Sequence, residues 1–269
     1  MKDKNIIDNS VYYEQFNWEK SNLSIHLRNK IEKVFELIPS NVKTIIDIGC
    51  GDGTITNQLA KKYDVTGVDR SKTALSFVKT KKILSSSEKI DMPDKSFDMV
   101  FSSELLEHLE DKVFYATIKE MKRISKKYIF LTVPNNEILG KDFIKCPNCG
   151  WIFNRAYYLR SLNLKKIKAY FPEYKVIKNF NYGSGKRGYN KFLLNIKHRF
   201  VPSQAWIPNY WTRNSSRKTM CPKCEIAFTY QYRFNLLGFF CDTLNILFSP
   251  HKPYWLFILL EKSEYANKN

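Results

Sequence analysis

Asp47, the glycines Gly49, Gly51 and Gly53, and Asp69 have the types and spacing to hold a nucleoside. The apolar run Ile45-Ile46-Asp47-Ile48 suits a buried parallel strand. It leads into Gly49-Cys50-Gly51-Asp52-Gly53-Thr54, where glycines allow a sharp turn and close approach of a ligand. Cys50 fits such a loop as a small residue. The helix-like segment that follows offers unpaired N–H groups at its start. The spacing is Gly-x-Gly-x-Gly, which weakens a pyrophosphate reading, since dinucleotide loops are spaced Gly-x-Gly-x-x-Gly. A plain strand-to-helix turn would also account for the glycines. Val65-Thr66-Gly67-Val68-Asp69 argues for more: a second short strand ends in an acid placed to accept hydrogen bonds from both hydroxyls of a ribose.

A second constellation is made of sulfur. Cys146-Pro147-Asn148-Cys149 and Cys221-Pro222-Lys223-Cys224 are two Cys-Pro-x-Cys knuckles. One Cys-x-x-Cys turn could be a redox pair. Two supply four thiolates, the tetrahedral set that Zn²⁺ prefers, with no coordination position left for chemistry. The expected metal is therefore structural. The knuckles stand 71 residues apart, far more than in a finger, so the expectation is a clasp between distant segments. Cys241, in an apolar helix, is expected in the core.

The elements that must position these groups follow from pattern. Residues 8–40 read as helical, with Leu27, Ile31, Val34 and Ile38 near a 3.6 period and Ser21 or Ser24 as N-cap. Helices are expected over 55–63, 71–82, 105–125 and 157–171. Further strands are expected at 83–84, 95–103, 127–135 and 174–180. Tyr254–Leu260 is the best candidate for a seventh strand, about 70 residues after the sixth. Residues 183–252 then form an insertion that must carry its own structure.

The set Asp-x-Gly-x-Gly-x-Gly, the acid Asp69, Ser96-Phe97-Asp98-Met99-Val100 and Glu104-Leu105-Leu106-Glu107-His108-Leu109 resembles the class I S-adenosylmethionine-dependent methyltransferases, in the branch acting on small molecules, quinones and sugars. The resemblance covers about residues 43–180 and is specific for the cofactor, not the acceptor. It implies an α/β fold: a Rossmann-like seven-stranded sheet with an N-terminal helical cap (1–42), a cofactor-binding core (43–182) and a final core strand (253–263), to which the knuckles and the strand spacing add a zinc-clasped insertion between strands six and seven (183–252). It also implies that Asp47, Gly49, Cys50, Gly51 and Gly53 hold the methionine end, and Asp69 and Arg70 the ribose. Ser87 and Glu88 would lie near the adenine, and Ser103 would line the site. Relatives often carry an acid followed by alanine at the adenine turn; this chain has Ser87-Glu88 instead. In relatives the acceptor pocket opens after the fourth strand, which makes His108 the candidate general base with Glu107 beside it. The same two residues could instead serve the fold. His26, His198 and His251 are weaker candidates for the base.

Charge narrows the partners. The net charge is +18 and unevenly placed: residues 1–150 carry 24 Lys and Arg against 21 Asp and Glu, residues 151–269 carry 20 against 5. Such a half suits an anionic partner, whether a phosphate-bearing or lipid-linked acceptor, a membrane surface, or nucleic acid; a lysine-rich surface that only confers solubility would also account for it. Within that half, Arg187–Phe200 reads either as a surface helix with one face packed on the core or as a basic amphipathic helix on an anionic membrane or polymer. Trp206 to Trp211 with Arg213, Arg217 and Lys218 could stack on sugars or bases. Residues 234–248, apolar nearly all round, are expected to be buried or to wall a greasy pocket. A charged amino terminus and the lack of an apolar run near ~18 residues set the expectation of a cytoplasmic protein, with peripheral contact at the inner membrane face as an extension.

The reading with most support is methyl transfer, by O-methylation, to a small-molecule, glycan or lipid-linked acceptor. RNA is the second substrate class. Glu104-x-x-Glu107-His108 also resembles the metal-binding run of small-RNA ribose 2′-O-methyltransferases, but the stretch Gly150–Asn154 lacks the further histidine those enzymes need. A third reading, a non-catalytic binding protein, conflicts with the intact glycine loop and Asp69.

Overall fold

The computed structural model describes residues 10–15, 24–208 and 217–263. The strands are β1 (Thr44–Ile48), β2 (Asp64–Asp69), β3 (Lys81–Leu84), β4 (Phe97–Ser103), β5 (Ser125–Pro134), β6 (Phe143–Lys145), β7 (Ile152–Asn154), β8 (Tyr174–Arg187), β9 (Lys218–Met220), β10 (Ala227–Thr229) and β11 (His251–Lys262). The helices are α1 (Ser10–Gln15), α2 (Ile25–Leu37), α3 (Thr56–Leu59), α4 (Lys72–Leu75), α5 (Asp111–Ile124), α6 (Leu164–Tyr170), α7 (Lys191–Phe200) and α8 (Leu236–Phe248). The chain divides into two compact units: a core (Tyr13–Asn135, Leu162–Ser184, Pro253–Asn269) and a second unit (Met1–Tyr12, Asn136–Ser161, Gly185–Lys252).

The core unit is a seven-stranded sheet in the order β3-β2-β1-β4-β5-β11-β8. Strands β1 to β5 run parallel to their neighbours, and β11 lies antiparallel to β5, with Ile258 opposite Leu131. Successive side chains on a strand point to opposite faces, so a sheet covered on both sides needs unbroken apolar runs. Ile46, Ile48, Val100, Leu131 and Ile258 enter one apolar cluster. Their neighbours Ile45, Met99, Phe101, Phe130 and Phe257 enter the other. α5 covers the first cluster with Phe114, Ile118 and Met121, one helical stripe. α2 covers the second with Val34 and Leu37. Ser24 caps α2 by accepting from the Leu27 amide, as its spacing suggests; Ser21 lies outside the described residues.

Several expected helices are shorter than pattern alone implies. The one expected over 71–82 stops at Leu75, because Lys81–Leu84 extends to pair with Thr66–Asp69 of β2. The first core helix keeps only Thr56–Leu59. The helix expected over 105–125 is split: Glu104 sits at φ 56°, Leu106–His108 make a tight 3₁₀ turn, and Leu109 is extended before α5. Only Leu164–Tyr170 of the expected 157–171 helix forms, since Tyr157 is left-handed (φ 58°) and Leu162 bridges to Asn135.

The second unit is built on two hairpins, β6–β7 and β9–β10, and two helices. α7 and α8 are joined by a buried polar cluster: Lys197 Nζ and Tyr189 Oη each donate to Asp242 Oδ1 at 2.6 Å. Trp206 is buried with its indole N–H on the Val201 carbonyl, and Arg217 is buried too, so neither offers the stacking surface expected of that stretch. Trp211 and Arg213 lie outside the described residues.

The largest correction concerns α8. Its buried side holds Gly238, Cys241, Asp242 and Asn245, and the apolar residues face outward: Leu247 is 76% exposed and Phe248 63%. The helix was expected to bury its apolar surface, but the partners within the unit are polar, and they turn the polar stripe inward. Cys241 is buried as expected.

Candidate cofactor site and metal centre

Beyond β1 the chain folds back over β2: the amides of Gly49 and Cys50 both donate to the Val68 carbonyl, at 2.8 and 3.0 Å. Gly49, Gly51 and Gly53 have φ of 76°, 54° and 73°, a conformation that glycine adopts without strain. A Cβ on Gly49 would lie 2.9 Å from the Leu105 side chain. The Gly51 amide donates to Asp69 Oδ2 at 2.8 Å and the Ser71 amide to Oδ1 at 2.9 Å. Each oxygen takes one backbone amide, which fixes the carboxylate plane and leaves lone pairs for hydroxyl donors.

Asp47 stands deeper. It is fully buried and accepts from Thr56 Oγ1 at 2.6 Å, tying β1 to the start of α3 beneath the glycine loop. Burial pushes its carboxyl up to about 7, against the Thr56 hydrogen bond. Burial, with Asp47 and Asp69 nearby, pushes the Cys50 thiol far up, so it stays protonated and serves as packing. Ser87 Oγ shares a hydrogen bond with Thr117 Oγ1 at 2.8 Å, and Ser86 Oγ donates to Glu88.

At the end of β4, Ser103 Oγ accepts from Lys30 Nζ at 2.9 Å and from Thr132 Oγ1 at 2.8 Å. Lys30 is a buried lysine on α2, also paired with Glu104 at 3.3 Å and set 4.6 Å from the centre of the Trp255 ring. Sequence reasoning missed it, although a lysine spaced with Leu27 and Val34 falls on the helix's apolar stripe. Tyr13 was missed as well. Its hydroxyl lies 2.8 Å from His108 Nδ1, and the Arg70 guanidinium is 5.9 Å from its ring. Its neighbour Glu14 accepts from the Thr73 amide and hydroxyl. Short as it is, α1 thus brings side chains to the turns after both β2 and β4. Glu107 is fully buried, neither carboxylate oxygen has a hydrogen-bond partner among the described residues, and burial raises its pKa well above the usual range. The nearest basic atom is His108 Nε2, at 4.0 Å.

A cleft of about 280 Å³ is lined by residues of α2, β8 and β11. Its walls include His26, Asn29, Asn181, Tyr182 and Trp255. Gly183 (φ 97°) lets the Trp255 ring approach the backbone closely; a Cβ there would sit 2.5 Å from it. Neither His108 nor Glu107 lines this cleft.

The knuckles come together in the second unit, one at the tip of each hairpin. The sulfurs of Cys146, Cys149, Cys221 and Cys224 lie within 4.8 Å of one another, and this is the one His, Cys, Asp or Glu cluster with metal-binding spacing among the described residues. Glu104, Glu107 and His108 make no such group. The two knuckles are built alike. The Cys146 and Cys221 amides donate to Trp151 and Ile226, and their carbonyls accept from Gly150 and Glu225, both left-handed. Sulfurs 3.7 Å apart (Cys146, Cys224) and 3.6 Å apart (Cys149, Cys221) are too far for disulfides. They match the edge of a tetrahedron with metal–sulfur bonds of about 2.3 Å, which is about 3.8 Å. The Ile226 amide directed at Cys224 lowers that thiol's pKa, favouring the thiolate a metal requires.

Residues 46–130 match the family model described as a methyltransferase domain. The chain is 28% identical over 140 residues to phosphoethanolamine N-methyltransferase 1 of Arabidopsis thaliana, covering 47% of this chain and 26% of that protein. It is 29% identical over 109 residues to the ubiquinone biosynthesis O-methyltransferase of Hydrogenovibrio crunogenus, covering 36% and 44%. The chain thus matches less than half the length of these relatives. A SAM-dependent methyltransferase structure from Archaeoglobus fulgidus shares the fold, with a TM-score of 0.53 at 14% identity over 88% of this chain and 93% of that one. The sheet order and the solved structure show the class I methyltransferase fold, and the methyltransferase-domain match lies on the segment that carries the glycine loop.

Proposed function

We propose that the protein transfers a methyl group from S-adenosylmethionine to a hydroxyl of a small, ring-bearing acceptor, sugar-like or quinol-like, free or carried on a lipid. When bound, the cofactor supplies an electrophilic methyl carbon and its own thioether leaving group. The residues present fit it: the glycine loop gives close backbone approach, Asp69 takes the ribose hydroxyls, and Ser87 and Glu88 lie at the turn assigned to the adenine. The chain's remaining tasks are to align the acceptor and remove its proton.

The observation that carries the assignment of the base is the bond between Tyr13 Oη and His108 Nδ1 at the end of β4. A histidine held through one nitrogen keeps the other in a set orientation, and a positioned base is worth ~10²–10⁴-fold in rate. Burial of Glu107 beside it raises that carboxyl's pKa well above the usual range and so disfavours a charge that would compete for the acceptor's proton. The similarity to an O-methyltransferase of ubiquinone biosynthesis supports the acceptor class. The four cysteines hold a structural zinc in this reading.

A labelled-methyl transfer screen over sugars, lipid-linked glycans, quinols and RNA tests the proposal. Expected is transfer to a ring-bearing hydroxyl compound, with His108→Ala lowering kcat ~10²-fold or more and leaving cofactor affinity unchanged. Transfer to RNA alone, with affinity falling steeply in salt, would replace this acceptor class.

A further inference from the structure

We infer that α8, with the exposed stripe of α7, is a docking surface for an anionic lipid bilayer. Eight of the thirteen residues of α8 are large, apolar and exposed, among them Leu236, Phe240, Leu244, Leu247 and Phe248. On α7, Phe192 is 71% exposed and Phe200 62%. A contiguous apolar surface of this kind marks a place where something else sits. The fold holds it outward by design of its polar side. Asp242 and Asn245 are buried: Asp242 accepts from Lys197 and Tyr189, and Asn245 bonds Gly188, Asn190 and Ser249. Arg187 donates to the carbonyls of Ile246 and Ser249 at the end of α8, which places a cation at the negative pole of the helix. Rotating the helix to bury its leucines would break all of these contacts.

Charge identifies the occupant. α7 contains no acidic residue, and the single acid of α8, Asp242, is buried and paired. The exposed surface of the helix pair is therefore apolar and uncharged or positive, with Lys191 and Arg199 exposed on α7, and Arg233 and Lys252 exposed on either side of α8. Apolar side chains bordered by cations, with no acid, complement a bilayer whose headgroups are anionic. A helix of 13 residues is about 20 Å long, too short for the ~30 Å hydrocarbon layer. It therefore lies along the surface with its leucines and phenylalanines among the acyl chains, and none of the described helices is long and apolar enough to cross a membrane.

The experiment uses the full chain without cofactor or acceptor, so its outcome is independent of the catalytic reading. Co-sedimentation with vesicles of phosphatidylcholine containing 30% phosphatidylglycerol should show affinity at least tenfold above that for pure phosphatidylcholine. The double variant L244D/L247D, both positions exposed, should lose at least tenfold while its circular dichroism and melting temperature hold. In the variant F240W, emission should shift to the blue on vesicle addition and be quenched by lipids brominated on the acyl chain. The inference is overturned if the full chain fails to sediment with anionic vesicles at low salt, or if Trp at 240 remains unquenched. A concentration-dependent dimer that L244D/L247D converts to monomer, without vesicle binding, would assign the surface to a second copy instead.

Discussion

Asp69 and Asp47 show how two carboxylates some twenty residues apart can serve one loop in different states. Asp69 is held by two amides and stays open to a donor; Asp47 is sealed beneath the loop. Asp69→Ala should weaken cofactor binding in calorimetry at least ~10²-fold, because it removes the acceptor for the ribose hydroxyls and also releases the Gly51 amide. Asp47 makes a prediction of pH dependence. Its carboxyl titrates near 7 in the folded state against 3.8 when unperturbed. The folded chain thus keeps a proton that the unfolded chain releases. The stability this group contributes is complete below about pH 4 and is lost as pH rises to 7. Asp47→Asn can still accept from Thr56 and has no charge to desolvate. Its stability advantage in denaturant melts should grow between pH 5 and pH 8 by on the order of 1–3 kcal/mol. A flat difference across that range would show that Asp47 is ionised in the folded protein. Tyr13→Phe removes the bond to His108 and keeps the ring, so kcat should fall while the cofactor Kd holds; a kcat unchanged across pH would remove this pair from the proton transfer.

At the scale of elements, what matters is where secondary structure stops. The tight turn at Leu106–His108 exists because Glu104 takes a left-handed conformation and the chain must straighten at Leu109 before α5 begins. A continuous helix would have carried His108 into a different direction. The end of β8 behaves similarly: Gly183 admits the Trp255 ring, and Trp255 in turn meets Lys30. Gly183→Ala should cost about 1–3 kcal/mol through strain and displacement of the ring. The loss is read from thermal melts. An unchanged melting temperature would show that the ring gives way without cost.

At the scale of the molecule, each unit carries its own core. The sheet has two extensive apolar clusters of its own. The second unit has three small ones, one of which contains Cys146 and Cys221. Small cores of this kind depend on a metal or a comparable cross-link. Purified protein should contain about one zinc per chain, and chelation should melt the second unit while the core unit still binds the cofactor. Loss of zinc without change in circular dichroism or protease resistance would remove the metal's structural role.

Much of the core was legible in the primary structure. The strand cores from β1 to β5, the glycine loop, Asp69 and the distant seventh strand depend on short-range patterns: apolar runs, glycine spacing, an acid at a strand end. The knuckles were equally legible, because Cys-Pro-x-Cys encodes its own turn. Lys30, Tyr13 and Trp255 were not, since each acquires its role from a partner 73 or more residues away along the chain. Helix lengths were overstated wherever a strand partner competed for the same residues, as β2 does for Lys81–Leu84. The orientation of α8 could be decided only in three dimensions: its composition called for burial, and a ring of buried hydrogen bonds around Asp242 and Asn245 turned the apolar side to the outside.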